Sequence, residues 1–146
     1  KDILERDAIE ALIKAGFVVI AAGGGGIPVV EDQDGLLHGV EAVIDKDYAS
    51  ALLASSLKAD LFLISTAVEK IALNFNQANQ VSLQHMTLEE AKRYLEEGHF
   101  AKGSMAPKVK AVVNFLEGGG KEALVTNPDN IARALRGETG TRITAS

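Results

Sequence analysis

Apolar residues along this chain fall into two patterns, helical spacing and short unbroken runs, and their alternation predicts the architecture. Residues 2 to 15 place Ile9, Leu12 and Ile13 on one helical face, with Gly16 where a C-terminal cap belongs. Phe17-Val18-Val19-Ile20 then reads as a buried strand, because β-branched and aromatic residues suit a pleated surface and nothing polar interrupts them. Beyond a glycine run, Val29 to Gly39 carries the polar turn Glu31-Asp32-Gln33-Asp34-Gly35 and predicts a hairpin. Gly39 to Ile44 is a short strand-like piece leading to Asp45, which can cap a helix through the alanine- and leucine-rich stretch to Leu57. Asp60 to Thr66 is a second buried strand ending in the hydroxyls Ser65 and Thr66, and Ile71 to Phe75 predicts a short strand before the polar loop Asn76 to Gln80.

Thr87-Leu88-Glu89-Glu90 has the form of a capping box and opens a helix that runs to Glu97 and stops at Gly98. Residues 106 to 117 form another helix, with Pro107 in its first turn, Val109, Val112, Val113 and Leu116 on one face, and Gly118-Gly119-Gly120 at its end. Glu122 to Thr126 is the third good strand. Asn127-Pro128 starts a short helix to Leu135, and Thr141 to Thr144 closes the chain as a strand. Helices alternate with strands that are apolar on both faces, so the expected fold is α/β, a mostly parallel sheet covered by helices on either side. Ligands of such sheets collect at the carboxyl ends of the strands.

Composition narrows this picture. The 146 residues suffice for one domain with a real core, and 47% hydrophobic with 24% charged residues is an ordinary globular balance. No apolar run approaches the roughly 18 residues of a membrane helix, and the polar start Lys1-Asp2-Ile3-Leu4-Glu5 does not resemble a signal peptide. The absence of cysteine removes disulfide and thiolate chemistry and makes a cytoplasmic protein the expectation. A net charge of −5 argues against general nucleic-acid binding. The three histidines, His38, His85 and His99, show no metal spacing; His38 and His85 read as loop residues and His99 as structural.

The most unusual stretch is Gly23-Gly24-Gly25-Gly26-Ile27-Pro28-Val29-Val30, reached directly from an apolar run. Four glycines forgo all side-chain packing, which makes sense where backbone bends sharply or lies against a ligand, phosphate being the usual one. The dinucleotide fingerprint fails, since with Gly23 and Gly25 as its first glycines Pro28 takes the place of the third, and Ile27 to Val30 reads as extended; the phosphate-loop pattern fails because no lysine follows. A purely structural turn is the alternative.

Two lysines occupy helix starts, where simple electrostatics disfavours a cation. Lys46 lies in the first turn after Asp45, and Lys108 follows Pro107. An anion in front of both resolves the conflict, and Gly103-Ser104-Met105-Ala106 offers it backbone donors and a hydroxyl. Both lysines reaching solvent is the alternative. Asp45 reads as the cap, whereas Asp47 can hold lysine ammonium groups or serve as a first-turn acid. Ser65 and Thr66 face a ligand or close the strand, Phe75 and Tyr48 read as core, and Glu96-Glu97 as a solvated helix end.

Gly23 to Val30, Gly39 to Ser50 (GVEAVIDKDYAS), Gly98 to Lys108 (GHFAKGSMAPK) and Gly140-Thr141 together resemble the carboxyl-terminal half of carbamate kinase, in order and spacing, across essentially the whole chain. The resemblance implies the amino-acid kinase fold, an αβα three-layer sandwich, with this lobe binding ATP or ADP with Mg²⁺. It implies reversible phosphoryl transfer between ATP and carbamate, giving ADP and carbamoyl phosphate, and a homodimer. By the same resemblance Lys108 contacts the transferring phosphoryl group, Lys46 is a second phosphate-binding lysine, and Asp47 organises the lysines. Gly23, Gly24, Gly25, Gly26 and Asp45 line the phosphate region. Ser65, Thr66, Val68, Asn74, Phe75, Gly103, Ser104 and Met105 lie in the wall around the nucleotide. The family's amino-terminal half, with the carbamate pocket, does not occur in these residues, so this chain alone is expected to bind nucleotide with little or no turnover. A non-catalytic nucleotide-binding fragment and a kinase of the same fold with another acidic acceptor are the alternatives. Asn76-Gln77-Ala78 departs from the glycine, lysine and proline frequent in relatives.

Overall fold

The computed structural model describes residues 2–146. Its elements are α1 (Arg6–Lys14), β1 (Val29–Glu31), β2 (Leu37–Gly39), α2 (Lys46–Ser56), β3 (Leu61–Ser65), β4 (Ala72–Leu73), β5 (Val81–Ser82), β6 (His85–Thr87), α3 (Leu88–Glu96), α4 (Met105–Glu117), β7 (Glu122–Thr126), a 3-10 turn at Pro128–Asn130, α5 (Ile131–Leu135) and β8 (Thr141–Thr144). The central sheet has four strands in the order β3-β7-β8-β6. β3 and β7 run parallel in the register Leu61↔Glu122 to Ser65↔Thr126, β6 and β8 are also parallel, and the single reversal lies between β7 and β8.

Alternation along β7 divides the two faces. Ala123 and Val125 join Phe62, Ile64, Met86 and Ile143 in a core closed by Val109, Val112 and Phe115 of α4, with the Phe62 and Phe115 rings 5.3 Å apart. Leu124 points to the other face, where it and Ala134 of α5 border Gly140, within 3.0 and 3.1 Å of where a Cβ would stand. Helices therefore cover both faces, the αβα sandwich expected. Full burial of Phe115 and Leu124 contributes about 1.5–3 kcal/mol apiece.

Local signals are realised as expected. The Asp45 carboxylate accepts from Asp47 N, and Thr87 and Glu90 form the reciprocal capping box. The hairpin β1-β2 turns through Asp32 to Gly35.

Four readings need correction. Phe17 to Ile20 is not a buried strand: it pairs with no described strand, and Val18 and Ile20 are 97% and 98% exposed. β-Propensity supplies side chains that suit a sheet but not the neighbouring strand that would bury them. Past Val40, whose N–H donates to Pro28 O at 3.0 Å, Glu41 to Ile44 likewise continues beyond β2 without pairing, leaving Val43 97% exposed. Phe75 is not core, being 51% exposed at the end of the β4 segment. The short strand β6 also lay in a segment read as loop around His85; only Met86 of its residues is buried, too little for an apolar pattern.

One clip joins the sheet to the excursion that contains β4 and β5. The fully buried Thr141 hydroxyl accepts from Ile71 N at 2.8 Å and donates to Leu83 O at 2.5 Å. The first residue of β8 therefore fixes both ends of residues 71 to 83 at the rim where β7 ends.

Candidate functional site

The starts of α2 and α4 meet. Asp45, in extended conformation, caps α2 and presents Asp47 in its first turn, 8% exposed. Lys108 Nζ in the first turn of α4 donates to Asp47 Oδ2 at 2.9 Å, with the two side chains only 14% and 11% exposed. A carboxylate so shielded from water needs its cation, and the pairing fixes an ammonium group near the α4 terminus. That terminus lacks an anion of its own: Ser104 makes no capping bond and the first turn contains no acid. Orphan N–H groups and a lysine together make a locally positive end.

The glycine run lies against the same place. Gly25 is buried at φ +135°, and a Cβ on it would stand 1.9 Å from the carbonyl oxygen of Ile44, the residue before Asp45. Only glycine permits this backbone contact. Ala22, Gly23 and Gly26 also have positive φ, so the segment bends through successive left-handed conformations. Gly23 N and Gly25 N donate to Ala21 O and Ala22 O, whereas the N–H groups of Gly24 and Gly26 make no backbone hydrogen bond among the described residues. Gly23, Gly24 and Gly26 are exposed, and Lys46 is exposed with no ion pair among the described residues.

The remaining predicted positions form other walls. Ser65 is exposed where β3 ends beside Thr126, and Thr66 N donates to Thr126 O at 2.8 Å. Val68 and Phe75 line one cavity of about 430 Å³ together with Lys70 and Gln80. Neither the glycines nor Asp47 and Lys108 line it, so the structure gathers the site residues as two groups, a phosphate-like corner and a separate hollow. Asn74, at φ 52°, holds Oδ1 3.0 Å from His99 Nδ1, within hydrogen-bond reach. Gly103 and Ser104 are exposed in the turn before α4, and Met105 packs partly against the core. His99 reads from sequence as structural, and no local signal announces that its partner is Asn74. No group of three or more His, Asp or Glu side chains suited to a metal occurs among the described residues.

Residues 1–127 match the sequence profile of the amino acid kinase family. The chain belongs to that family. Among amino acid kinases with similar sequences are the carbamate kinase of Clostridium perfringens (strain 13 / Type A), 53% identical over 143 residues that make up 97% of this chain and 45% of the relative. The carbamate kinase-like protein YahI of Escherichia coli (strain K12) is 52% identical over 143 residues, 98% of this chain and 45% of that protein. Carbamate kinase from Giardia lamblia bound to AMP-PNP superposes with a TM-score of 0.96 at 38% identity, covering 100% of this chain and 51% of that one. The amino acid kinase chain described here thus spans about half the length of the relatives it matches.

Proposed function

We propose that this chain is the nucleotide-binding half of a carbamate kinase, a phosphotransferase that moves a phosphoryl group reversibly between ATP and carbamate, giving ADP and carbamoyl phosphate. The observation that carries the reading is the Lys108–Asp47 pair at the meeting of two helix starts, beside a glycine bend pressed onto Ile44. Phosphoryl transfer is governed by positioning and charge neutralisation, and these groups supply both. In this reading Gly24 and Gly26 donate backbone N–H groups to the polyphosphate, with Gly23 and Gly25 shaping the bend. Lys108 meets the transferring phosphoryl group, Lys46 adds a second, mobile cation, and Asp47 keeps Lys108 aimed. Val68, Asn74, Phe75 and the residues Ser65, Thr66, Gly103, Ser104 and Met105 enclose the nucleoside.

Mg²⁺ fits this chemistry without a protein cage, because that ion is commonly held by one or two carboxylates and by substrate phosphates. Asp45 and Asp47 are the carboxylates at the α2 start, each with one oxygen outside the bonds described above. Bound there with nucleotide, Mg²⁺ would neutralise phosphate charge.

The acceptor is bound, in this proposal, by a lobe outside these 146 residues, to which the run Phe17 to Ile20 offers an apolar segment. A homodimer is part of the same proposal. Calorimetric titration with ADP and ATP, each with Mg²⁺, tests the reading: saturable binding is expected, and its absence removes it. Adding a separately expressed amino-terminal lobe is then expected to allow ATP formation from ADP and carbamoyl phosphate, with little or none from this chain alone.

A further inference from the structure

His99 occupies the junction between two segments that the proposed function assigns to the nucleotide wall. Its backbone N–H donates to Tyr94 O at 3.1 Å just past the left-handed Gly98, and the next residue, Phe100, is anchored in the core. The imidazole is held on three sides. Nδ1 lies 3.0 Å from Asn74 Oδ1, an amide oxygen that an Nδ1–H can bond, Nε2 lies 3.0 Å from Glu97 Oε2, and Tyr94 meets the ring edge-on with centroids 5.6 Å apart. The side chain is 25% exposed, shielded enough for these contacts to be definite.

Asn74 is the hinge of the opposite wall. It adopts φ 52°, and its carbonyl accepts from Gln77 N at 3.0 Å, starting a turn in which Gln80 Oε1 accepts from Asn76 N at 2.8 Å. Phe75 and Gln80 of this turn line the 430 Å³ cavity. Asparagine tolerates the left-handed region better than most residues, but tolerance does not orient a side chain. The bond from His99 does so, across 25 positions of sequence.

We propose that His99 is a positioning residue for nucleotide binding: it holds Asn74, and through it the Phe75 to Gln80 turn, in register with the segment that leads from α3 into the Gly103 to Met105 loop. It need not touch nucleotide. The inference rests on the nucleotide-binding reading for its functional consequence, whereas the tie between the walls stands on geometry alone.

The test compares His99→Ala, His99→Asn and His99→Gln. An asparagine amide nitrogen falls near the Nδ1 position and can still donate to Asn74; a glutamine amide falls near Nε2 and can reach only Glu97. Calorimetry with ADP and Mg²⁺ is expected to show affinity reduced about five- to tenfold in His99→Ala and His99→Gln, as for loss of one well-made hydrogen bond, and largely restored in His99→Asn. Asn74→Gly, which keeps the left-handed backbone, should match His99→Ala and add nothing to it. Amide hydrogen exchange at Gln77 and Gln80, measured without ligand, should quicken in His99→Ala and return to wild-type protection in His99→Asn. Equal affinity and exchange in all variants, or equal loss in His99→Asn and His99→Ala, overturns the proposal. If wild type binds no nucleotide the functional reading fails, and exchange at Gln77 and Gln80 still decides whether the tie exists. Should His99→Ala fail to fold, His99→Asn against His99→Gln makes the same comparison.

Discussion

Lys108 Nζ meets Asp47 Oδ2 at 2.9 Å although the two residues are 61 positions apart, so one ion pair joins the starts of α2 and α4. Asp47→Asn removes the carboxylate charge and leaves a shielded ammonium without its counter-charge. Stability is expected to fall by as much as about 3 kcal/mol, read from the midpoint of urea unfolding. Lys108→Met with Asp47→Asn should cost less than the two single changes summed, by about 1 kcal/mol or more, and simple additivity would show that the pair is not coupled.

Gly25→Ala forces a methyl group into the space of the Ile44 carbonyl, at a φ of +135° that suits glycine. The bend must shift, and ADP affinity should fall by about tenfold or more, corresponding to roughly 1.4 kcal/mol. Gly39→Ala, at a position with open space, is the comparison and should leave the melting temperature nearly unchanged. Similar binding by Gly25→Ala and wild type would mean that the bend is not shaped for phosphate.

Two threonines should respond in opposite directions to valine. Thr141→Val strips the partner from Ile71 N and Leu83 O, and leaving such groups unpaired costs about 1–3 kcal/mol each. Thr126 is fully buried, and its Oγ1 has no partner among the described residues. Thr126→Val is therefore expected to be neutral or stabilising by about 1 kcal/mol in the same unfolding assay.

The capping box gives a pH signature. Accepting from the Thr87 backbone N–H holds the Glu90 carboxyl below its ordinary value of 4.5. A depressed folded-state value means that the charged bond stabilises α3 above about pH 4.5 and that this contribution disappears as pH falls through the lower folded value. Unfolding midpoints of wild type and Glu90→Gln should differ most near neutral pH and converge in acid; a constant difference would assign the effect to packing.

The exposed run makes a prediction against its own hydrophobicity. Val18→Thr with Ile20→Thr should change stability by less than about 0.5 kcal/mol, because both side chains are already in water in the isolated chain. A loss of several kcal/mol in thermal or chemical unfolding would show that the run is buried after all.

What could be read from sequence was what neighbours along the chain decide. Asp45 as a cap, Thr87 with Glu90, and the face Val109, Val112, Val113 and Leu116 each involve residues within a few positions, and each formed. Lys46 and Lys108 were legible as cations at unfavourable helix ends, but that Asp47 pairs with Lys108 and not visibly with Lys46 depends on how α2 packs on α4. Phe17 to Ile20 misled for the converse reason: its composition is that of a strand, and only a neighbouring strand decides whether it becomes one. Phe75 reads as core from its apolar ring, while the turn that begins at Asn74 carries that ring to a cavity edge.

The bonds that assemble this rim are all long-range: Asp47 to Lys108 spans 61 residues, and both Ile71 to Thr141 and Glu69 to Thr139 span 70. Such separations slow folding and make the Thr141 clip later in synthesis than the Asp47–Lys108 pair. On a ribosome, the glycine bend and α2 emerge well before α4, so the corner is incomplete until Lys108 has cleared the exit tunnel, and residues 71 to 83 stay unpinned until Thr141 follows.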